Sequence, residues 1–255
     1  MIKAIFFDID GTLLSYNTHR VLDSTIEAFD ALHRKGILTI ISSGRPLMLI
    51  PKMPVAFDGY ITVNGGYCFV GDKVLLRNPI NNDDAQKWLH YVEQNRLTTM
   101  CFTEHEMFIN QIDPVAQQLR DQLDFEMPPL RPLSEFKGCE AYQFIAVQPA
   151  DKDPYVLQLL SHCRMPRWHS LFSDIVPQGS SKAVGMEHIL RHYGISHDDT
   201  VAFGDGANDI EMLDYAGIGV AMGNASETVK KHADYVTSDS DSDGIANALK
   251  HLDII

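Results

Sequence analysis

The chain has 255 residues, 45% of them hydrophobic and 22% charged, and this composition is typical of a folded globular protein of one large or two modest domains. Its 34 acidic and 21 basic residues give a formal net charge of −13, which disfavours nucleic acid and anionic membranes as partners. No apolar run approaches the roughly 20 residues of a bilayer-spanning helix, and the N-terminus does not resemble a signal peptide. The four cysteines form no CxxC pair, so we expect reduced thiols and a cytoplasmic protein.

The N-terminal part alternates between strands and a helix. The segment "KAIFFDIDGTLL" (3–14) begins with an apolar run that predicts a buried strand ending in two aspartates. Residues 23–36 predict an amphipathic helix, with Asp23 or Ser24 as its N-cap. The apolar segments 37–41 and 59–63 predict two further strands. Strands and helices that alternate through short connections favour a parallel sheet covered on both faces.

The middle of the chain, residues 82–176, has a different pattern. Its predicted helices cover residues 83–95, 114–125 and 153–163. Its strand-like segments are residues 97–102, 107–111, 141–147 and 168–172. Because strands follow each helix in groups, and not one at a time, this region is predicted to be a separate α+β domain inserted into the α/β core.

The C-terminal part returns to the first pattern. Its predicted elements alternate between helix and strand over residues 180–194, 200–203, 208–217, 218–222, 226–233, 234–237 and 244–252. We therefore predict a core domain formed by residues 1–81 and 177–255, and an inserted domain formed by residues 82–176.

Asp8 and Asp10 follow the first predicted strand, at the edge where open α/β sheets bind their ligands. Side chains at positions i and i+2 of a strand point to the same side, so we expect the two carboxylates to lie together. Two such carboxylates repel each other unless a cation binds between them. An Asp-Gly pair alone is also a common turn, so the interpretation depends on the neighbouring loops.

Those loops carry polar groups that suit an anionic ligand and a cation. "SSGR" (42–45) offers hydroxyl groups and the backbone N–H of Gly44, and "GDGAND" (204–209) places Asp205 after a buried strand. Lys182 lies in the first turn of a helix, where the helix dipole disfavours a cation. It shares a stripe with Met186, Ile189 and Tyr193, so its ammonium is predicted to face the acidic groups and not solvent.

Carboxylate oxygens with room for water suit Mg²⁺, which commonly binds few protein groups together with a substrate phosphate. A carboxylate that attacks phosphorus forms an aspartyl-phosphate. We therefore predict that Asp8 attacks and that Asp10 handles protons.

The motifs "DIDGTLL", "SSGRP", "TVNGG", "GSSK" and "GDGAND-IEML" occur in an order that resembles the haloacid dehalogenase-like (HAD) hydrolase superfamily, in particular its Cof-type sugar-phosphatase branch. The resemblance implies a Rossmann-like core with a large α/β cap inserted between the second and third motifs. It implies a Mg²⁺-dependent phosphatase of small phosphate monoesters, such as sugar phosphates or phosphorylated cofactors. The short segment between Arg45 and Tyr60 departs from the family pattern, because it leaves little room for a helix after "GRP".

The resemblance also implies a role for each matched residue. Asp8 would be the nucleophile, Asp10 the general acid and base, and Ser43 and Lys182 would bind the transferring phosphoryl group. The implied metal site consists of Asp8, the backbone carbonyl of Asp10, Asp205 and Asp209. The implied substrate-binding residues are Gly44, Arg45, Asn64 and Asn208.

Two functional alternatives stay open at this point. A phosphomutase or phosphotransferase would use the same aspartyl-phosphate, and a non-catalytic phospho-accepting module would use the same acidic pocket. The oligomeric state and the physiological substrate are not determined by the sequence.

One further motif resembles a metal site. "DSDSDGIANALK" (239–250) begins like a calcium-binding loop, but its twelfth residue is Lys250 where a glutamate is needed. We therefore interpret residues 244–252 as the last core helix, with Asp243 as a capping residue near its N-terminus.

Overall fold

The structure is a computed structural model that describes residues 1–123, 126–167 and 169–255. The chain divides into two compact units. The first unit consists of residues 1–45, 49–77 and 181–255, and the second of residues 46–48 and 78–180.

The strands, in chain order, are β1 (Ala4–Phe7), β2 (Leu38–Ser42), β3 (Gly59–Thr62), β4 (Tyr67–Val70), β5 (Lys73–Arg77), β6 (Thr98–Phe102), β7 (Met107–Ile109), β8 (Gln143–Val147), β9 (Cys163–Arg164), β10 (Phe172–Pro177), β11 (Thr200–Gly204), β12 (Ile218–Ala221) and β13 (Tyr235–Val236). The helices are α1 (Asp23–Arg34), α2 (Asn82–Asn95), α3 (Pro114–Leu123), α4 (Leu133–Phe136), α5 (Asp153–Leu159), α6 (Lys182–Tyr193), α7 (Ile210–Tyr215), α8 (Glu227–Lys230) and α9 (Gly244–His251).

An eight-stranded sheet organises the first unit, in the order β13-β12-β11-β1-β2-β3-β4-β5. The strands from β13 to β3 are parallel, and β4 and β5 extend the sheet as an antiparallel edge. Helices α1 and α9 pack against each other, as do α6 and α7. The predicted fold class, a Rossmann-like parallel sheet with an inserted α+β region, is confirmed.

Alternation along β1 builds two separate hydrophobic layers. Ile5 and Phe7 belong to a buried cluster with residues of α1 and α9, whereas Ala4 and Phe6 belong to a second cluster with residues of α6 and α7. Successive side chains of a strand point to opposite faces, so one apolar run can support a helix layer on each side. This burial explains why β1 is apolar at every position.

The register of β1 positions the acidic residues. Phe7 of β1 pairs with Phe203 of the parallel strand β11, and the backbone N–H of Asp8 donates to the carbonyl of Phe203 over 3.0 Å. The residues that follow the two strands, Asp8 and Asp205, therefore emerge next to each other at the carboxyl edge of the sheet.

The second unit contains a five-stranded antiparallel sheet in the order β7-β6-β8-β10-β9. Its helices α2 and α5 share a buried cluster with strand residues Phe144 and Ala146. Trp88 of α2 is fully buried in that cluster and donates to the hydroxyl of Thr99, as expected for a core aromatic residue.

Several local predictions differ from the structure, and among them the helix predicted over residues 153–163 ends at Leu159, with Cys163 in β9. Helix α1 is preceded by Leu22, and no side chain caps it, because the hydroxyl of Ser24 donates to Asp243. The antiparallel pair β4 and β5 was not predicted, although Gly71 and Asp72 supply its turn. The predicted strand over residues 168–172 is wrong, because β10 begins only at Phe172. Ser173 and Asp174 are polar and do not indicate a strand from the sequence, but they pair with β8 in the folded sheet.

Two predicted positions, residues 124–125 of the helix over 114–125, lie outside the described residues, as does Trp168.

Candidate active site

Asp8 and Lys182 form a buried ion pair at the carboxyl edge of the sheet. The ammonium nitrogen of Lys182 donates to Oδ1 of Asp8 over 2.5 Å, and Lys182 is fully buried. Burial raises the pKa of Asp8 well above its ordinary value, and the ammonium opposes that rise only in part. Among the described residues, none donates a hydrogen bond to Oδ2 of Asp8, so one carboxylate oxygen keeps its lone pairs available.

Lys182 also pairs with Asp209, which is equally buried. Burial disfavours the ammonium, but the charges of Asp209 and Asp8 outweigh it and raise the pKa of Lys182 above its ordinary value. The first position of α6 therefore holds a charged lysine in spite of the helix dipole, as the sequence pattern predicted. Ser181 caps the same helix, since its hydroxyl accepts from the backbone N–H of Val184.

Asp209 shapes the loop that follows β11. Its Oδ2 accepts hydrogen bonds from the backbone N–H groups of Asp205 (3.0 Å) and Gly206 (2.8 Å). Both of its oxygens thus accept hydrogen bonds from the chain itself. Asp209 therefore supplies negative charge and loop order, and it is fully buried, whereas Asp205 is only partly buried.

Asp205 accepts hydrogen bonds from three different segments. Oδ2 accepts from the hydroxyl of Tyr16 (2.8 Å) and from the amide of Asn224 (3.1 Å), and Oδ1 accepts from Thr12 at 3.5 Å. Burial is the main cause that raises the pKa of Asp205 to about 6. The hydrogen bond from Tyr16 lowers this pKa, and repulsion from Asp209 raises it. The carboxylate is oriented, but its charge is not neutralised.

These three aspartates fit a divalent cation. One oxygen from each of Asp8, Asp205 and Asp209 lies within 4.8 Å of the others, and hard oxygen donors of this kind suit Mg²⁺. Three carboxylates and one ammonium leave two negative charges in a largely buried site. The raised pKa values of Asp8 and Asp205 have the same origin, because a carboxylate without a nearby cation is costly to bury.

Asp10 lies apart from this cluster. Strand β1 ends at Phe7, so the i, i+2 rule for strands does not apply to Asp8 and Asp10. The carboxylate of Asp10 is half-exposed and binds the guanidinium of Arg45 at both oxygens, over 2.7 and 2.8 Å. This bidentate pair orients Asp10 at the solvent side of the site. The hydrogen bond from Arg45 to Asp10 is also the main cause that raises the pKa of Arg45.

The loops after β2 and β3 meet beside the same edge. Ser43 is buried, its hydroxyl accepts from the backbone N–H of Arg45 (3.1 Å), and its carbonyl accepts from the N–H of Asn64 (3.0 Å). Asn64 has left-handed backbone angles, and its side-chain oxygen accepts from the amide of Asn208 at 2.9 Å. A Cβ on Gly44 would lie 3.1 Å from that same oxygen, so a larger residue would crowd Asn64.

Gly65 brings the loop after β3 against the start of α6. Its φ is +83°, and a Cβ at this position would overlap the carbonyl oxygen of Ser181, the residue before Lys182. Only glycine satisfies both conditions. The "NGG" motif therefore fixes the position of the helix end that carries the buried lysine.

Three residues at this site were not identified from the sequence: Thr12, Tyr16 and Asn224. Asn224 follows β12 at the same sheet edge as Asp205 follows β11, so its position relative to the strand could have indicated it. Tyr16 carries no comparable signal, because it reaches Asp205 from a loop 189 positions earlier in the chain.

Comparisons with known proteins agree with this site. A family model described as haloacid dehalogenase-like hydrolase matches residues 5–249. The chain is 32% identical to the Bacillus subtilis (strain 168) protein named "Putative phosphatase YkrA", over 99% of this chain and 98% of the relative.

Solved structures extend the similarity to three dimensions. A sugar phosphatase of HAD subclass IIB is 39% identical with a TM-score of 0.89, and the match covers 99% of this chain and 100% of that one. A HAD-superfamily phosphatase from Bacteroides thetaiotaomicron is 36% identical with a TM-score of 0.91, and the match covers 100% and 96% of the two chains. None of the described helices combines the length and the hydropathy that a bilayer-crossing segment requires.

Proposed function

The chain belongs to the haloacid dehalogenase-like hydrolase family and is a phosphatase of that family, and on this premise we propose that it hydrolyses small phosphate monoesters with Mg²⁺ through an aspartyl-phosphate on Asp8. The observation that carries the proposal is the buried group of Asp8, Lys182 and Asp209, with Asp205 beside it. A buried carboxylate with one free oxygen, oriented by a lysine, suits attack on a phosphoryl group, and the two excess negative charges of the site would be balanced by a divalent ion.

In the first step, an oxygen of Asp8 attacks phosphorus, the bond from phosphorus to the ester oxygen breaks, and the leaving alkoxide takes a proton. In the second step, water attacks phosphorus and gives up a proton, the bond from phosphorus to the Asp8 oxygen breaks, and inorganic phosphate leaves with Asp8 restored as a carboxylate. The free Oδ2 of Asp8 supports its role as nucleophile, because Lys182 holds Oδ1 and so limits rotation of the carboxylate.

We assign the two proton transfers to Asp10. Its carboxylate is half-exposed, whereas Asp8 and Asp209 are buried, so Asp10 can exchange protons with solvent between turnovers. Arg45 orients it through two hydrogen bonds, which limits the positions from which it transfers a proton.

Charge on the transferring group is balanced by the remaining residues. Lys182 would contact the phosphoryl oxygens from the buried side, and Ser43 would donate a hydrogen bond from the loop after β2. Gly44, Asn64 and Asn208 would line the phosphate position. A divalent ion held by Asp8, Asp205, Asp209 and the backbone carbonyl of Asp10 would supply positive charge against the carboxylates and the phosphate.

For the domains, we propose that residues 1–81 and 177–255 carry the chemistry and that residues 82–176 act as the cap that selects the substrate. The proposal is supported by a separate hydrophobic cluster, whose buried residues lie between Ile80 and Ile175. Because one structural relative is a sugar phosphatase, we propose sugar phosphates as the first substrates to examine. A substrate screen should compare the rates of phosphate release from hexose and pentose phosphates, flavin mononucleotide, pyridoxal phosphate and nucleotides.

The substitution Asp8→Asn tests the proposal directly. It keeps the shape of the side chain and removes the nucleophile, so release of phosphate from an aryl phosphate should fall at least ~10³-fold, by comparison with the loss of other catalytic nucleophiles. The thermal unfolding midpoint shows whether the variant is folded. As a control of equal charge change, Asp199→Asn replaces an aspartate that pairs with Lys3 and should retain full activity. Turnover by Asp8→Asn at the wild-type rate would contradict the assignment.

Product analysis separates hydrolysis from transfer. We expect inorganic phosphate as the product with or without an added acceptor sugar. A phosphorylated acceptor formed at the expense of inorganic phosphate would identify a phosphotransferase instead.

A further inference from the structure

We propose that Ser240 and Asp241, in the segment that resembles the start of a calcium loop, are positioning residues for Asp205 and thereby for the metal site. The inference rests on the proposed function, since it concerns the metal ligand Asp205. The connection runs through Tyr16 and Asn224, which both donate to Oδ2 of Asp205.

The first connection passes through Tyr16. Its hydroxyl lies 2.8 Å from Oδ2 of Asp205, although half of the side chain is exposed. A Cβ on Gly11 would contact both this hydroxyl and the carboxylate of Asp205, so Tyr16 packs directly over the turn after Asp10. A half-exposed tyrosine holds such a position only if its backbone is fixed, because solvent offers its hydroxyl an equivalent hydrogen bond.

Asp241 fixes that backbone from both sides of Tyr16. Its Oδ1 accepts from the hydroxyl of Ser15 and from the backbone N–H of Asn17 (3.3 Å), and its Oδ2 accepts from the side-chain amide of Asn17 (2.8 Å). The hydroxyl of Ser15 in turn accepts from the backbone N–H of Thr18 at 3.0 Å. One carboxylate, 225 positions further along the chain than Tyr16, therefore closes the loop that presents the tyrosine.

The second connection passes through Asn224. The backbone N–H of Ser240 donates to its side-chain oxygen over 2.9 Å, which fixes the amide orientation. The amide nitrogen then donates to Asp205 and to the carbonyl of Gly11 (2.9 Å). The backbone N–H of Gly223 also donates to the carbonyl of Ser238, so the two loops are joined along their length.

The geometry thus indicates that residues 240 and 241 position Asp205 and that the acidic segment does not act as a calcium loop. The carboxylate oxygens of Asp241 accept hydrogen bonds from the loop at residues 15–17, which leaves them turned toward the chain. Asp205 receives two donors on one oxygen, so its rotamer is set before a cation binds. A preorganised ligand binds its cation more tightly than a mobile one, because less conformational entropy is lost on binding.

The experiment measures Mg²⁺ binding by titration calorimetry on the full chain without substrate, and steady-state kinetics against Mg²⁺ concentration. Tyr16→Phe keeps the ring and removes the donor, and it should weaken Mg²⁺ binding about tenfold, the effect of one hydrogen bond to a charged group. Asp241→Asn should weaken it about fivefold, and kcat at saturating Mg²⁺ should stay within about twofold of wild type. Asp243→Asn is the matched control: it removes the same charge two residues away, at a carboxylate whose partner is Ser24 on α1 and not the loop of Tyr16, so Mg²⁺ binding should not change.

The double variant Tyr16→Phe/Asp241→Asn distinguishes positioning from a general loss of charge. If Asp241 acts through Tyr16, the double variant should bind Mg²⁺ within about twofold of Tyr16→Phe alone, because coupled residues are not additive. Fully multiplicative losses, or equal losses in Asp243→Asn and Asp241→Asn, would overturn the inference.

Should Asp241→Asn not fold, Asn17→Ala removes the partner amide and must weaken Mg²⁺ binding in its place. Wild-type protein without Mg²⁺-dependent phosphatase activity would refute the proposed function, whereas an active wild type with unchanged variants would refute this inference alone.

Discussion

The replacement Lys182→Met tests whether the buried ammonium is the main counter-charge of the metal-free site. Lys182 is fully buried and bonds both Asp8 and Asp209. Methionine is unbranched, similar in length to lysine, and carries no charge. The replacement leaves three carboxylates near one another with no cation, and only protonation of one of them relieves the repulsion.

Removal of one partner from a buried ion pair commonly costs about 3–5 kcal/mol, and we expect Lys182→Met to lie in this range at pH 8 in EDTA. The loss should shrink at pH 5. The variant raises the pKa of Asp8 further, so the folded variant keeps its proton at low pH and loses stability as pH rises through that raised pKa. The difference from wild type therefore grows with pH.

The assay is urea unfolding followed by circular dichroism at pH 5 and pH 8, with EDTA present. Lys3→Met is the matched control, because it removes a lysine whose ion pair with Asp199 is exposed. Surface pairs of this kind contribute little, so its unfolding midpoint should stay near that of wild type at both pH values. A loss in Lys182→Met no larger than in Lys3→Met, or a loss that is greatest at pH 5, would refute the reasoning.

Two further predictions concern the loop glycine and the metal site. Gly65→Ala should lower the free energy of unfolding by more than twice as much as Gly36→Ala, as measured by urea unfolding. Both have positive φ, worth about 1–2 kcal/mol for a non-glycine residue, but only a Cβ at Gly65 meets backbone. Because burial raises the pKa of Asp205 to about 6, its proton competes with the cation below that pH. Mg²⁺ affinity should fall at least about tenfold per pH unit below pH 6, as measured by calorimetry from pH 5 to 8; constant affinity would contradict this prediction.

The sequence was sufficient for the alternating core. The apolar runs at Ala4–Phe7 and Thr200–Gly204 and the helix over Lys182–Tyr193 were predicted to within two residues at each end. Buried parallel strands and amphipathic helices have strong local patterns, since one is apolar throughout and the other repeats every 3.6 residues. The inserted region was predicted less well, because the start of β10 depends on its partner strands.

The orientation of Lys182 could be predicted from a local sequence pattern. Its inward orientation followed from the stripe it shares with Met186 and Ile189, and both are buried. The relation between Asp8 and Asp10 could not be obtained in this way. The strand ends before Asp8, and the turn at Gly11 directs the second carboxylate toward Arg45.

By itself, the sequence determined the parallel α/β core, the family, and the acidic and basic residues that follow its strands, because each depends on neighbours within about one turn or one strand. Only the tertiary structure decided which of those residues meet. Tyr16 and Asn224 reach Asp205 from loops far apart in the chain, and Asp241 reaches the loop at Ser15 from near its end. Such contacts arise from the order and register of the strands, and a polar side chain in a loop carries no periodic signal that could predict its partner.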